Sequence, residues 1–147
     1  MKNLILTAAF LLCSILSFAQ VDVAIESISV NPQQGYKGDF FYGDITCSNP
    51  GTQDIDDFIV YFYVSKSPTF NINTATLVGS PYYGRNLNAG TKVSGYVSFN
   101  FPTNVSNPTT STWYVWAKIE SRTYIEGYDK QANNTKAAPI TIYGSSY

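Results

Sequence analysis

Residues Thr112 to Ser121 read TWYVWAKIES. In an extended chain, successive side chains point to opposite faces. One face of this stretch then holds Trp113, Val115, Ala117 and Ile119, and the other holds Tyr114, Trp116, Lys118 and Glu120. The first set is uncharged and the second carries two charges. The uncharged set is assigned to a core and the charged set to solvent. The two tryptophans are three residues apart, so the same rule buries Trp113 and leaves Trp116 in water.

Alternation of this kind recurs along the chain. Val21 to Val30 (VDVAIESISV) is nearly period-2, with a slip near Glu26, and Asn31-Pro32 breaks it. Phe40 to Ser48 (FFYGDITCS) is a second strand, ended by the turn Asn49-Pro50-Gly51. Phe58 to Ser65 (FIVYFYVS) is dense in β-branched and aromatic residues; Phe58, Val60, Phe62 and Val64 share one face, with Ile59, Tyr61 and Tyr63 opposite. Thr76 to Val78 is a short strand, and Asn86 to Gly90 is a turn. Lys92 to Phe101 alternates Val93, Gly95, Val97 and Phe99 against Ser94, Tyr96, Ser98 and Asn100. Thr112 to Ser121 is the sixth strand. Ile140 to Tyr143 is the seventh, with Ile140 and Ile142 inward and Thr141 and Tyr143 outward. About seven short strands without a helix predict an all-β, immunoglobulin-like antiparallel β-sandwich.

The first residues, MKNLILTAAFLLCSILSFAQ, have a basic start at Lys2, an apolar run from Leu4 to Phe18 and a small-x-small site at Ser17-Phe18-Ala19. This is the pattern of a cleaved signal peptide, residues 1–19. The run is shorter than the roughly 20 apolar residues that span a bilayer. The chain has 147 residues, so residues 20–147 form a single domain large enough for a core of its own. The expected location is secreted, periplasmic or at the cell surface, with no membrane contact once the leader is removed.

Without Lys2, eight basic residues face ten acidic ones, a net charge of −2. That balance excludes nucleic acid as a main partner, which requires a basic patch. Histidine is absent, which removes His-based zinc sites and Ser-His-Asp or Cys-His catalysis. Beyond the leader only Cys47 remains, so no internal disulfide can form. Cys47 is expected as a buried free thiol, with an intermolecular disulfide as the alternative.

The order of motifs resembles the CARDB family, the cell-adhesion-related domain found in bacteria. The pieces that carry the resemblance are ISVNPQQGYKGD, DITCSNPGTQDIDDFIVYFYVSKSP, TLVGS, LNAGTKVSGYVSF, WYVWAKIES and IEGYDKQANNTKAAPITI, together spanning about Asp22 to Tyr143. The resemblance implies an immunoglobulin-like extracellular module without catalytic activity. The chain departs from the family in being one domain, and its loop Lys66 to Thr76 lacks acidic residues, which weakens a calcium reading there.

Four groups of residues are candidates for function. In a sandwich of this type, the third, sixth and last strands are neighbours in one sheet. Their outward residues Tyr61, Tyr63, Tyr114, Trp116 and Tyr143 are expected to form one exposed aromatic patch. The alternative is cross-strand pairing that only braces the sheet. Phe70, Tyr82 and Tyr83 are a second aromatic group, expected as a rim that could stack on sugars. Asp54, Asp56 and Asp57 are expected as a solvated turn rather than a glycosidase pair. The loop Glu126 to Asn134 is read as an Asx-rich turn latched by Asn133, with a cation site on Glu126 and Asp129 as the sharper alternative. No catalytic residue, metal or cofactor is assigned. The expected function is an exported, non-catalytic module making protein–protein or cell-surface adhesion contacts through the aromatic face. The alternative is a carbohydrate-binding module using exposed Tyr and Trp as stacking platforms. The expected partner is accordingly a protein, a cell-surface component or a glycan.

Overall fold

The computed structural model describes residues 21–122 and 132–144. The expected leader, residues 1–19, and the Glu126 and Asp129 part of the candidate cation loop lie outside these residues.

Eight strands are present: β1 (Ala24–Ile28), β2 (Gln34–Gly35), β3 (Phe40–Ser48), β4 (Ile55–Ser65), β5 (Thr76–Leu87), β6 (Lys92–Asn100), β7 (Ser111–Ser121) and β8 (Thr135–Ile142). There is no α-helix among the described residues. The strands form a three-stranded sheet, order β1-β3-β6, and a five-stranded sheet, order β2-β8-β7-β4-β5. Pairing is antiparallel except for the two-residue parallel contact of β2 with β8. The result is an all-β sandwich, as the alternation predicts.

The core lies between the inward faces. Phe41, Ile45, Val97 and Phe99 come from the smaller sheet, and all are at most 3% exposed. Phe58, Val60, Phe62, Val115, Ala117, Ile119, Ile140 and Ile142 come from the larger sheet, at most 2% exposed. Each large apolar side chain buried here contributes about 1.5–3 kcal/mol. The phase assigned to β4, β7 and β8 is therefore correct on the inward side. Trp113 is 5% exposed, its ring edge-on to Phe101 at 5.1 Å, and its Nε1 donates to Asn107 Oδ1 at 3.1 Å. Cys47 is buried and free, and burial pushes its thiol up to about 12.

Two buried asparagines close the sandwich ends. Asn49 Nδ2 donates to the carbonyls of Gln53 (2.8 Å) and Leu87 (3.0 Å), and its Oδ1 accepts from Gly51 N at 3.0 Å. The Asn-Pro-Gly turn thus ties the β3–β4 connection to the end of β5. Asn107 Nδ2 donates to the carbonyls of Ile142 (3.0 Å) and Tyr143 (3.2 Å), while its Oδ1 also accepts from the Ser111 hydroxyl. Both residues satisfy backbone groups that water cannot reach.

Three strands are longer than the sequence suggests: β4 begins at Ile55 rather than Phe58, and the extensions of β5 and β8 each have a physical reason. β5 was expected to end at Val78 but continues to Leu87. Against β4 its register jumps from Phe62↔Val78 to Val60↔Tyr82, so Gly79-Ser80-Pro81 form a bulge opposite Tyr61. Gly79 has φ 63°, and a Cβ there would meet the Ser98 carbonyl oxygen at 2.6 Å. Gly and Pro interrupt the alternation without ending the strand. β8 begins at Thr135 rather than Ile140. Pro139 hides its first half, but β2 pairs only with Thr141 and Ile142, so Pro139 sits where β8 is a sheet edge.

Candidate functional site

The registers of the five-stranded sheet place most of the expected patch on one outward face. Tyr63 is opposite Trp116, Tyr61 opposite Lys118, and Ser65 opposite Tyr114. Trp116 and Tyr114 are in turn opposite Ala137 and Pro139 of β8. Tyr61, Tyr63, Tyr114 and Trp116 are therefore neighbours. Tyr143 is not. It lies four residues beyond Pro139, about 13 Å along the strand direction at 3.3 Å per residue, and packs on Tyr36 at 5.0 Å.

The patch is not open to solvent. The connection from β4 to β5 folds back over it and sets Phe70 5.4 Å from the Tyr63 ring and 5.5 Å from the Trp116 ring. Tyr63 is 9% exposed and Trp116 8%, which corrects the expectation that the indole is in water. Tyr61 and Tyr114 are half-buried. Alternation gives the direction in which a side chain leaves its own strand. It does not reveal what a loop elsewhere lays over that face. The covering loop is organised by its own polar residues: Thr69 N donates to Ser67 Oγ (3.1 Å) and Asn73 N to Asn71 Oδ1 (3.0 Å). Burial raises the Tyr63 phenol above its ordinary value, against a smaller opposing pull from Lys118. The Trp116 Nε1 is buried without an acceptor among the described residues. This cluster is a small second core on the outside of the sheet.

The expected rim of Phe70, Tyr82 and Tyr83 also separates. Phe70 is the cover just described. Tyr82 points between the sheets, 6.1 Å from Phe58, and its hydroxyl donates to the Ser94 carbonyl at 3.4 Å. Tyr83 points outward, 62% exposed, with Arg122 5.9 Å from its ring. The bulge in β5 and the alternation after it put the two tyrosines on opposite faces.

Two of the three clustered aspartates have structural partners. Asp54 accepts from Ala89 N at 2.8 Å, and Asp57 lies 3.7 Å from Arg85 across the strand pair. Asp56 and Asp57 belong to β4 rather than to a turn, so as adjacent strand residues they point to opposite faces. Asn133 Nδ2 donates to Asp22 Oδ1 at 3.0 Å, which is the latch expected before the last strand. Among the described residues no three His, Cys, Asp or Glu side chains come together.

The exposed aromatics lie on the other sheet. Phe40, Tyr42 and Tyr96 are 53%, 41% and 55% exposed on the outward face of β3 and β6. Phe40 and Tyr42 have ring centroids 6.3 Å apart at 27°, and Tyr42 and Tyr96 6.5 Å apart at 24°. Asn31 Nδ2 donates to the Tyr42 hydroxyl at 2.8 Å and fixes that ring. Sequence reasoning passed over these residues although the signal was present. In FFYGDITCS the inward set Phe41, Gly43, Ile45 and Cys47 leaves Phe40 and Tyr42 outward, as the Lys92 to Phe101 alternation leaves Tyr96. The inward position 43 is a glycine because a Cβ there would meet the Ser29 carbonyl oxygen at 1.9 Å.

Comparison with known proteins yields structural matches only; no family model and no curated protein sequence matches the chain. The chain is similar to the crystal structure of the CARDB domain of the PF1109 protein from Pyrococcus furiosus, solved in complex with di-metal ions. The TM-score is 0.59 at 13% identity, covering 88% of this chain and 99% of that one. The solution structure of the same domain matches with TM-score 0.57 at 12% identity, covering 87% of this chain and 100% of that one. A β-glucosidase from Erythrobacter marinus matches with TM-score 0.53 at 12% identity over 83% of this chain, but only 15% of the enzyme is covered. The chain thus has the fold of CARDB domains, a small β-sandwich module, as the order of its motifs implies. The glycosidase match shares a sandwich and says nothing of catalysis.

Proposed function

We propose that the chain is an exported, non-catalytic β-sandwich module that acts by contact with a protein or cell-surface partner. One observation carries this reading: a three-membered aromatic strip, Phe40, Tyr42 and Tyr96, stands in solvent on a regular sheet face. Exposed aromatic patches on small soluble folds mark binding surfaces. Within the Asp54, Asp56 and Asp57 cluster, Asp54 is a backbone acceptor and Asp57 is in a surface ion pair. The CARDB-like fold and the leader-like first residues support an extracytoplasmic setting.

The test has two parts. The full chain is expressed in a bacterial host, the culture is fractionated, and the N-terminus of the exported form is sequenced; Gln20 is expected as the first residue. The exported protein is then labelled and titrated onto intact bacterial cells, where saturable binding competed by unlabelled protein is expected. Retention in the cytoplasm with the leader intact, or an absence of saturable binding, contradicts the reading. So does reproducible hydrolase turnover.

A further inference from the structure

We propose that the outward face of the three-stranded sheet binds neutral glycan chains, with Phe40, Tyr42 and Tyr96 as stacking platforms. The proposal rests on the reading that the module acts by contact, and it names the chemistry of the partner.

The composition of the face carries the proposal. The register of β3 with β6 sets Phe40 against Asn100, Tyr42 against Ser98, Asp44 against Tyr96 and Thr46 against Ser94. On the other side, Ser27 stands opposite Thr46 and Asn31 opposite Tyr42, with Ser29 beside Asp44 through a backbone bond of 2.9 Å. From Thr46 to Phe40 every outward residue is therefore aromatic, hydroxyl-bearing, amide-bearing or the single carboxylate Asp44. None of these register positions holds an aliphatic or cationic residue. Lys92 is at the far end of β6, where it meets Glu26 at 3.3 Å, and Lys37 belongs to the turn before Phe40.

These choices fit one class of occupant. Protein-binding faces also favour Tyr, Phe and Trp, but set them in an apolar core with Met and Arg, and neither Met, Arg nor an aliphatic anchor occupies these register positions. Anionic polymers need cations. A neutral sugar chain presents C–H faces that lie on aromatic rings and hydroxyls that exchange hydrogen bonds with amides and hydroxyls. Both kinds of group alternate on this sheet. The rings are near-parallel and offset, with centroids over 6 Å apart, so they do not cover each other. Tyr42 is held by Asn31, and the Asn100 amide by the Gly38 carbonyl at 2.9 Å, so the platform is ordered before binding.

The experiment is affinity electrophoresis of the exported protein through gels containing xylan, mannan or mixed-linkage β-glucan, with polygalacturonate as the anionic control. Saturable retardation by at least one neutral polymer is expected, with none in the control. Tyr42→Ala and Tyr96→Ala are each expected to weaken it about tenfold, the loss of one stacking contact. Tyr83→Ala, on the other sheet, is expected to keep it, and Tyr42→Phe, which keeps the ring but loses the Asn31 bond, to weaken it less than Tyr42→Ala. Thermal melts confirm that each variant is folded. The proposal is overturned if no neutral polymer retards the protein, if polygalacturonate retards it equally, or if Tyr42→Ala and Tyr96→Ala bind as the parent does. If glycan binding is absent while saturable cell binding persists and falls in Tyr42→Ala, the face contacts a protein and only the glycan assignment is lost. If cell binding is absent as well, the contact reading fails with it.

Discussion

Phe70 lies across Trp116 with ring centroids 5.5 Å apart, and this contact takes an outward-pointing indole out of water. Trp116 is as much a packing residue as Trp113, although the two leave β7 in opposite directions. Trp116→Ala is expected to destabilise the fold by about 3 kcal/mol, in the range of buried aromatic truncations and not of surface ones. Phe70→Ala is expected to cost about 1–2 kcal/mol, since its ring is only partly buried. It should also shift the Trp fluorescence to the red, because Trp116 then meets water. Urea melts and emission spectra of the two variants check this. An unshifted spectrum in folded Phe70→Ala means the loop is not the cover.

Asn107 holds two carbonyls, a hydroxyl and the Trp113 indole at one end of the sandwich. Asn107→Ala leaves all four without that partner. A loss of about 3 kcal/mol is expected, since each buried polar group left unsatisfied costs about 1–3 kcal/mol and some recover water. Chemical denaturation gives the value. Asn107→Asp should recover little, because a carboxylate cannot donate to the Ile142 and Tyr143 carbonyls.

Gly43 faces the backbone of the segment after β1, where a Cβ would stand 1.9 Å from the Ser29 carbonyl oxygen and 3.1 Å from the Val30 Cα. Backbone cannot rotate aside as a side chain can. Gly43→Ala is expected to lower stability by more than about 2 kcal/mol through overpacking. By contrast, Gly90→Ala meets nothing within 4 Å, and its cost is that of a residue held at φ 71° alone. A melt series of the two variants separates crowding from backbone strain.

Cys47 gives the fold an alkaline limit. Burial pushes its thiol up to about 12, while in the unfolded chain it titrates near 8.5. Its folded pKa is raised, so the unfolded state loses its proton first. The neutral-thiol contribution is complete below about pH 8.5 and declines from there toward pH 12. Burial raises the Tyr63 and Tyr82 phenols in the same direction. Stability measured by urea melts should fall over this range, with a maximum slope for Cys47 of about 1.4 kcal/mol per pH unit. Cys47→Ala should flatten the fall between pH 8.5 and 10, before tyrosine ionisation dominates. An unchanged pH profile in that variant means the thiol is not in a dry core.

Much of this molecule could be read from periodicity. The inward sets of β4, β7 and the end of β8 follow directly from alternation, because a face without charge has one place to go. Tyr61, Tyr63, Tyr114 and Trp116 do share a face, as their phase requires. Two kinds of information were not legible. One is interruption: Gly79-Ser80-Pro81 and Pro139 break the pattern of β5 and β8 while hydrogen bonding continues on either side. The other is cover. Whether an outward ring meets water depends on segments distant in sequence, and Phe70 reaches Trp116 from 46 positions away. The same limit acted in reverse on Phe40, Tyr42 and Tyr96, which stay exposed because the described residues lay no loop over the smaller sheet.

The central claim is that contact is made by the three-stranded sheet and not by the covered aromatic cluster of the five-stranded one. The direct measurement is titration of labelled protein onto intact bacterial cells with two folded double variants. Tyr42→Ala with Tyr96→Ala is expected to abolish saturable binding, and Tyr61→Ala with Tyr114→Ala to leave it within about twofold of the parent, a difference below 0.5 kcal/mol. Binding that survives the first pair and is lost in the second would contradict the claim and return function to the Phe70-covered face.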